Sequence, residues 1–555
     1  MITKQKKYLA KVFVILCFSC GLFSQEALKS AEEDYYDFLS LQGLANRPTL
    51  NYRTLSDNQW QLEGAAADGN HVWGSNNMGT TFTLWQDETP AENWFARGLF
   101  QGINMKVYGP EWYNSFNTAA PYGQNDGALW QGKGYNTSLT GGLRLEGYGF
   151  ELTFKPQLSF SQNMAFDIMP SAYDSPYGYF WGYGVDAPQR FGDKSFFTFD
   201  WGDTEIRYTW HTLTIGFGTQ AIWLGPAFMN PILHSNNAPS YPKLDIGLRR
   251  QRVVLPWLDW YLGDVEFRLW TGRLSESDYF DNDESNNHNM IHGLAFAYAP
   301  SFIPGLTLFA NRVCLVKWDW ANLKYIWPAD DNTIEDQKMS FGFDWVFPQV
   351  GFEVYGEIGL DDFVPDGLKP VGYIRYPLHT LVFTTGFKKT FDISTRHKIY
   401  GELRGEINFS EMSQDFHLHW PYNFGFHHLI TQGYTNKGQW LGSGYGYGGN
   451  MQYIDFTVYY PKGKSTIAVA RWNPDNNFIY SKAMNSDVDK EQLRNEYITS
   501  WKANFILGLN SLYYITKDLS VSGGFVYNMI LNNHYQDPPE KLHNISVQLG
   551  VKYQL

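Results

Sequence analysis

The sequence has no long apolar run beyond its N-terminus. No later segment approaches the ~20 consecutive apolar residues that a membrane-spanning helix needs, and the mean hydropathy of the 555 residues is −0.37. Strands can still cross a bilayer, provided that every backbone group is paired in a closed barrel. The composition therefore excludes a helical membrane protein and leaves either a soluble protein or a β-barrel.

Cysteine and positive charge are also scarce. Of the 3 cysteines, only Cys314 lies beyond residue 24. An apolar run at residues 12–23 follows a basic start, which is typical of a signal peptide, so we predict that residues 1–24 are removed. The basic residues are Lys4, Lys6, Lys7 and Lys11. Cys20 leaves a lipoprotein alternative, although the three residues before it match a lipidation site poorly.

Removal of this leader has two consequences. The mature chain can form no internal disulfide, and Cys314 is expected to be a small apolar strand residue. The loss of four lysines and no acid changes the net charge from −13 to −17. Such acidity argues against nucleic acid as a partner.

Aromatic residues, at 18%, and 52 glycines are what the chain has in quantity. From about residue 80 onward the apolar positions alternate strictly with small or polar ones, as at 399–409 and 544–555. Period-two alternation predicts strands with one apolar face. In 399–409 the opposite face carries Glu402, Arg404 and Glu406, which indicates a wet interior rather than a sandwich core.

Residues 25–50 follow a different period. Leu28, Ala31, Tyr35, Phe38 and Leu39 share one helical face. Gly43 and Pro48 provide a stop signal, so we predict an amphipathic helix. It is expected to lie in the periplasm near the mouth of the barrel; a short helix that simply caps the chain is the alternative.

These patterns predict an all-β transmembrane protein with a large closed antiparallel barrel. We divide it into a signal peptide (1–24), a periplasmic helical segment (25–50) and an outer-membrane β-barrel (51–555). The final strand runs to Leu555 and resembles, from Gln548 onward, the signal that such barrels present to their insertion machinery. A C-terminal edge strand of a soluble sandwich is the alternative for this segment alone.

Three blocks resemble the Wzi capsule-assembly family. The first is Ala-Ile-Trp-Leu-Gly-Pro at 221–226 with Leu-His-Ser-Asn-Asn-Ala-Pro at 233–239. The second spans 352–362 and includes Tyr-Gly-Glu, and the third is the Tyr-Thr-Asn-Lys-Gly segment within 433–442. The turn after Pro226 departs from the commoner polar form, because Ala-Phe-Met follows it.

The resemblance implies an outer-membrane barrel of about 18 strands with a small periplasmic helical part. It also implies a lectin-like protein, not an enzyme, that binds capsular or other exported polysaccharide and aids its assembly on the cell surface. Its expected partners are that polysaccharide, outer-membrane lipid and lipopolysaccharide, with no cofactor. A general diffusion porin is the alternative, because the lumen-facing rows are charged.

The first block has chemistry suited to sugar, since an indole face stacks on a pyranose and amides bind hydroxyls. The turn would be formed by Gly225, Pro226 and Ser235. The residues predicted to contact polysaccharide are Trp223, Asn236, Asn237, Arg249, Arg250, Tyr434 and Trp440. Two structural alternatives remain open: the loop could use its amides to satisfy its own backbone, and the arginines could pair with lumen acids.

The remaining motifs point away from catalysis and metal binding. Asp361 and Asp362 lie near Glu357, but adjacent strand residues point to opposite faces and are poorly placed to flank one glycosidic bond. The glycine-rich segment 442–449 lacks the features of a phosphate loop. It is predicted to form a hairpin with Tyr445 and Tyr447 at the membrane interface. No catalytic or metal-binding residue is predicted.

Overall fold

The computed structural model describes residues 23–26, 28–88, 93–181, 184–327, 334–361, 380–411, 423–479, 501–535 and 540–555. An α-helix, α1 (Ala31–Leu41), precedes most of the strands, and residues 477–479 are also helical. Short 3-10 helices occur at Gly64–Ala66, Trp320–Ile326, Pro348–Val350 and Thr395–His397. No helix among the described residues is long and apolar enough to cross a membrane.

Almost all other regular structure is strand. The strands are β1 (Phe23–Gln25), β2 (Ala45–Asn46), β3 (Tyr52–Arg53), β4 (Gln59–Leu62), β5 (Thr81–Gln86), β6 (Gly102–Asn117), β7 (Gly134–Gly147), β8 (Phe150–Phe154), β9 (Gln157–Ser161), β10 (Phe196–Asp200), β11 (Glu205–Trp210), β12 (Leu213–Gly218), β13 (Trp223–Leu224), β14 (Lys243–Leu255), β15 (Trp260–Ser275), β16 (His288–Pro300), β17 (Leu306–Lys317), β18 (Glu335–Phe347), β19 (Phe352–Asp361), β20 (Val382–Ser394), β21 (Ile399–Phe409), β22 (Thr435–Asn436), β23 (Gln439–Trp440), β24 (Asn450–Tyr460), β25 (Gly463–Asn473), β26 (Ala503–Tyr514), β27 (Leu519–Leu531) and β28 (Lys541–Tyr553).

The described strands close into an antiparallel barrel with 18 strand positions around its circumference. Two of these strands are interrupted: β8 and β9 are two halves of one strand, and β10 and β11 are two halves of the next. Closure joins β28 to β6, where Val551 lies opposite Trp112. Strand β5 continues the line of β28 along β6, and the Thr80 amide donates to Leu555 (3.4 Å). The predicted closed barrel is therefore confirmed.

Alternation along each strand separates a lipid face from a polar lumen. In β28, Val547 and Leu549 are about half exposed on the outside, whereas Asn544 and Ser546 are buried on the inside. In β21, which has the predicted bounds, Glu402 and Glu406 point inward and are buried. A closed barrel is the arrangement in which such a polar row and an apolar row both find suitable surroundings.

The two ends of the barrel differ. Tight connections such as 461–462 and 348–351 lie at one end, the short-turn end, together with the C-terminus. Connections at the other end, the long-loop end, are longer, and two of them fold into the lumen. Residues 219–242 and 423–449 are called here the loop plug, and residues 28–78, which enter from the short-turn end, are called the N-terminal plug.

Helix α1 forms the centre of the N-terminal plug. Ser30 caps its first turn by accepting a hydrogen bond from the Glu33 amide (3.1 Å), and the acids of that turn suit the positive end of the helix dipole. The chain leaves the helix through Gly43, which has a φ of +69°. The apolar face packs on the wall, with the ring of Phe38 stacked 4.2 Å from that of Tyr459. The predicted helix is confirmed.

The acidic face of α1 binds basic side chains on separate strands of the wall. The pairs are Asp34 with Arg404 (3.0 Å) and Lys464 (2.6 Å), Asp37 with Lys388 (2.7 Å), and Glu32 with Lys552 (2.7 Å). Asp37 also binds Arg47 of the plug itself (2.7 Å). Because the basic residues belong to β20, β21, β25 and β28, these contacts fix both the position and the rotation of the helix.

A further segment, residues 318–327, covers part of the outer wall and is called here the outer flap. Cys314 and Val316 share the face of β17 that carries exposed Leu308, yet both are completely buried beneath Tyr325 of the flap. Arg312, on the same face, donates to the Tyr325 carbonyl (3.1 Å). Cys314 is free and buried, as predicted.

Candidate functional site

The loop plug begins with a sharp turn in the first of the three sequence blocks. Trp223 and Leu224 form β13, which pairs with β3 of the N-terminal plug. Gly225 follows with a φ of +78°, and its amide donates to the side-chain oxygen of Asn51 (3.0 Å). A side chain at position 225 would meet the Glu357 carboxylate at 3.0 Å. Glycine is therefore required here by both conformation and space.

The turn is held by a carboxylate of the barrel wall. Glu406 accepts hydrogen bonds from the amides of Phe228 (2.9 Å), Met229 (3.3 Å) and Asn230 (2.7 Å). The hydroxyl of Tyr355, from the second block, donates to the same carboxylate (2.7 Å). Hydrogen bonds to an ionised group are among the stronger ones, so Glu406 anchors the turn to β21.

The first and third blocks contact each other directly. The Ser235 amide donates to the Leu441 carbonyl (2.8 Å), and its hydroxyl donates to the Gly442 carbonyl (2.6 Å). The Asn237 side chain donates to the Trp440 carbonyl (3.0 Å). Segments separated by about 200 positions are thereby joined into one layer across the lumen.

Trp223 is completely buried within this layer. Its indole N–H donates to the Ala227 carbonyl (2.9 Å). The ammonium of Lys29 and the guanidinium of Arg53 lie 4.9 and 5.3 Å from the ring centroid, which are cation–π distances. Burial lowers the pKa of Lys29 to about 8. The ring thus joins the two plugs and presents no free face to a sugar.

The two asparagines of the block have different surroundings. Asn237 is buried, and its side-chain oxygen accepts from the Asn125 amide (3.0 Å) while its nitrogen binds Trp440 as described above. Asn236 is half-buried, and its backbone carbonyl accepts from the Gly127 amide (2.9 Å). The side chain of Asn236 lines a cavity that Asn237 does not reach.

This inner cavity has a volume of about 240 Å³ and lies between the loop plug and the wall. Asn125, Gln220 and Asn236 line it, and in the part of the chain that the structure describes each has one buried side-chain polar atom without a hydrogen-bond partner. Burial of Asp126, which also lines it, raises the pKa of that carboxyl to about 7. The cavity is smaller than the ~300–1,000 Å³ of typical ligand clefts.

The two predicted arginines are engaged by carboxylates. Arg249 binds Asp57 (2.5 Å) and Glu151 (2.7 Å), and Arg250 binds Asp264 (2.7 Å). The pairing alternative accounts for both residues. Their partners lie in the N-terminal plug, in β8 and in β15.

Tyr434 and Trp440 belong to an aromatic cluster of the loop plug. Tyr434 is completely buried, whereas Trp440 is half-buried and lies parallel to Phe426 at a centroid distance of 6.2 Å. The prediction that Tyr445 and Tyr447 lie at the membrane interface is wrong, because both are buried in the lumen. The glycines there permit close packing; a side chain at Gly442 would lie 2.4 Å from the Ile232 carbonyl oxygen.

Residues 124–310, which include the first block and much of the inner-cavity wall, match the family model described as capsule assembly protein Wzi. The matched residues make up about a third of the chain.

The Wzi fold is also found by structural comparison. The outer-membrane protein Wzi of Escherichia coli, described as a carbohydrate-binding β-barrel involved in group 1 capsule assembly, is 12% identical; the match covers 81% of this chain and 85% of that one, with a TM-score of 0.54. The channel OccAB4 of Acinetobacter baumannii matches with 7% identity, 82% and 98% coverage and a TM-score of 0.38, which supports no argument. None of the curated proteins matches the chain.

The structural likeness shows the fold of an outer-membrane β-barrel. In such barrels the short turns face the periplasm and the long loops face the exterior. The N-terminal plug enters from the short-turn end, and its periplasmic location stays a prediction. Within the described residues, no group of three or more His, Cys, Asp or Glu side chains is arranged to hold a metal ion.

One part of the lumen was not predicted from the sequence. Arg207 binds Glu205 (2.8 Å) and Asp245 (2.5 Å), and Arg268 binds Asp245 (2.8 Å) and Asp57 of the N-terminal plug (2.8 Å). All five side chains are buried. The signal was present as charged residues on one face of β11, β14 and β15, but only the barrel brings the three rows to the same point.

Proposed function

We propose that this protein binds capsular or other surface polysaccharide at the outer face of the outer membrane and aids its assembly there. The observation that carries the proposal is a lumen that two plugs fill from opposite ends. A barrel filled in this way offers a rigid platform of loops to the exterior. Because the two plugs occupy the lumen, we infer that the barrel binds a ligand at its surface rather than passing solutes.

The contacts between the plugs argue against the diffusion-porin alternative. Asn51 and Gly225, Lys29 and Phe228, and the ring of Trp223 with Arg53 connect the N-terminal plug to the loop plug across the axis of the barrel. A diffusion channel needs a continuous aqueous path. We therefore expect single-channel conductance in planar bilayers far below that of an open porin with the same number of strands.

Asn236 and Trp440 are the residues of the predicted sugar-binding set that we retain as candidate contacts. Both keep some exposed surface, and they supply an amide and an aromatic ring. Trp223, Asn237 and Tyr434 are better understood as the framework that holds them. Arg249 and Arg250 are assigned to ion pairs with the acids that face them.

The test compares retention of surface polysaccharide by cells that lack the protein, cells with the wild type and cells with Asn236→Ala/Trp440→Ala. A matched control replaces exposed Trp257 and Asn70 at the periplasmic end with alanine. Heat-modifiable gel mobility verifies insertion. We expect the deletion to shed polymer into the medium, the test variant to shed more than the control, and the control to resemble the wild type.

An unchanged coat after deletion, together with no retention of the cell's own surface glycan by the purified barrel, would refute the proposed function. If the deletion sheds polymer but the Asn236→Ala/Trp440→Ala variant retains it like the wild type, the binding function stands and these two residues are not part of the site.

Two further partners remain predictions. Outer-membrane lipid and lipopolysaccharide are expected to surround the apolar outer face. The insertion machinery is expected to read the segment from Gln548 to Leu555, which here lies in and just after β28.

A further inference from the structure

A groove lined by polar, aromatic and aliphatic residues lies at the rim of the long-loop end and is called here the rim groove. It has a volume of about 570 Å³, within the usual range of ligand clefts and more than twice that of the inner cavity. Four parts of the chain line it: residues 284–288 before β16, residues 317–319 with Asn322 at the start of the outer flap, Ile334 just before β18, and Leu429 with Ile430 of the loop plug.

An indole ring forms part of its wall. Trp318 lines the groove and is 39% exposed. The guanidinium of Arg273 covers one face of the ring, at 5.5 Å from its centroid. The centroid of the Trp320 ring lies 5.8 Å from that of Trp318, and the two ring planes are inclined by 57°. The indole is thus held in place and still accessible. A fixed aromatic surface of this kind can stack on the C–H face of a pyranose at low entropic cost.

Three amide side chains line the same groove: Asn286, Asn287 and Asn322. The Asn286 nitrogen donates to the Thr431 hydroxyl (3.1 Å) and to the Asp281 carboxylate (3.3 Å). Its carbonyl oxygen is buried and has no partner in the described part of the chain. Because a buried acceptor without a partner is costly, this oxygen is suited to receive a hydroxyl hydrogen from a ligand.

The Asn322 nitrogen donates to the Lys317 carbonyl (2.9 Å), so this amide is also held in one orientation. Asn287 is exposed, and its backbone carbonyl accepts a hydrogen bond from the Glu276 backbone amide (3.0 Å). An aromatic ring and several oriented amides therefore converge on one accessible space, whereas those of the first sequence block are largely enclosed.

The charge of the rim groove selects among sugars. Glu284 and Asp319 place two carboxylates along it, and Lys317 places one ammonium. Among the side chains that line the groove, carboxylates therefore outnumber ammonium groups, which disfavours a uronic acid; the Arg273 guanidinium contacts the Trp318 ring and does not line the groove. Neutral hexoses carry only hydroxyls, which carboxylates accept and amides both donate to and accept from.

We propose that the rim groove binds neutral hexose units of the surface polysaccharide, with one pyranose stacked on Trp318 and its hydroxyls bound by Asn286, Asn287 and Asn322. This proposal rests on the proposed polysaccharide-binding function and gives it a site and a sugar class. The outer flap then has two roles, since it covers Arg312 and Cys314 of the wall and supplies the aromatic surface of the groove.

The experiment uses the full-length barrel in detergent micelles. The probes are the purified surface polysaccharide of its own cell, neutral hexasaccharides (maltohexaose and cellohexaose) and hexagalacturonate, with affinities measured by calorimetry. The variants are Trp318→Ala and Asn287→Ala, and the matched control is Trp257→Ala, which removes a ring that is 94% exposed at the periplasmic end. Because Asn287 is exposed, Asn287→Ala leaves folding intact. It therefore still tests the groove if Trp318→Ala does not fold.

For Trp318→Ala we expect about ten-fold weaker binding of the polysaccharide and of at least one neutral hexasaccharide, the loss of one stacked aromatic contact. Asn287→Ala should weaken both several-fold, and Trp257→Ala should bind like wild type. Equal binding by the wild type and both groove variants overturns the rim groove while the proposed function stands. Preference for hexagalacturonate overturns the sugar class. No binding of the cell's own polysaccharide by the wild type refutes the proposed function itself.

Discussion

Substitution of Asp34 tests how helix α1 is held in the lumen. Burial by itself would raise the pKa of this carboxyl. The positive charges of Lys464 and Arg404 lower the pKa by more than burial raises it, so that it lies well below its usual range. A depressed folded-state pKa means that the interaction is present above the ordinary aspartate pKa, about 4, and is lost as the pH falls through the lowered value. Asp34→Asn removes the charge at neutral pH, where the interaction is complete.

The expected cost follows from the surroundings of the pair. Asp34 is 30% exposed, so its two ion pairs fall between the ~0–1 kcal/mol of surface pairs and the ~3–5 kcal/mol of broken buried ones. Arg404 keeps Asp455 as a partner at 2.9 Å, which limits the penalty. We expect about 2 kcal/mol, equivalent to an approximately 30-fold larger undocked population of the helix.

Adding Asp37→Asn should extend the effect. Asp37 binds Arg47 and Lys388, neither of which contacts Asp34. With separate partners the two effects are expected to add to about 4 kcal/mol, or roughly 1,000-fold.

Hydrogen–deuterium exchange of the α1 amides measures this opening directly, because exchange of a docked helix proceeds through local release. Asp68→Asn is the matched control: it makes the same charge change in the N-terminal plug at an exposed position. Exchange in α1 should accelerate about 30-fold for the single variant and leave the strands unaffected. If the double variant exchanges as slowly as wild type, the ion pairs do not hold the helix, and the packing of Phe38 on Tyr459 must do so alone.

Two predictions concern the loop plug and the neighbouring residues 118–131. Gly225→Ala forces an L-residue into positive φ beside Glu357 and should destabilise residues 221–239 by about 1–2 kcal/mol, seen as faster amide exchange there but not in β28. The raised pKa of Asp126, about 7, favours its protonated form in the folded state; the stability this gives is complete below about pH 4 and declines as the pH rises towards 7. Asp126→Asn should therefore stabilise residues 118–131 by about 1–2 kcal/mol at pH 8 and have little effect at pH 4, after correction for intrinsic exchange. A variant equal to wild type at both pH values contradicts this assignment.

The barrel could be predicted from sequence because its signals are local. Residues 399–409 alternate strictly, and α1 carries its own apolar face together with a capping serine. Each pattern depends on neighbours within one element, so a single sequence is enough to recognise it.

The interior could not be predicted in the same way, because its contacts join distant positions. Glu406 holds a turn that precedes it by about 178 residues. Trp223 illustrates a second difficulty: an indole suited to stack on a sugar is equally suited to bind Lys29 and Arg53. Residue type fixes the kind of interaction, and only the fold decides which partner occupies the ring. Trp318 stands in no recognised motif, and its position in the groove depends on the outer flap.

The joining of the two plugs has a mechanical consequence. A polymer bound as we propose would be dragged by flow, and tension on the outer loops would enter the layer in which the Ser235 amide donates to the Leu441 carbonyl. From there it passes through the turn at 225–230 to Lys29 and α1. The ion pairs of α1 then distribute the force over β20, β21, β25 and β28. The filled lumen thus distributes over several strands a load that would otherwise act on a single loop.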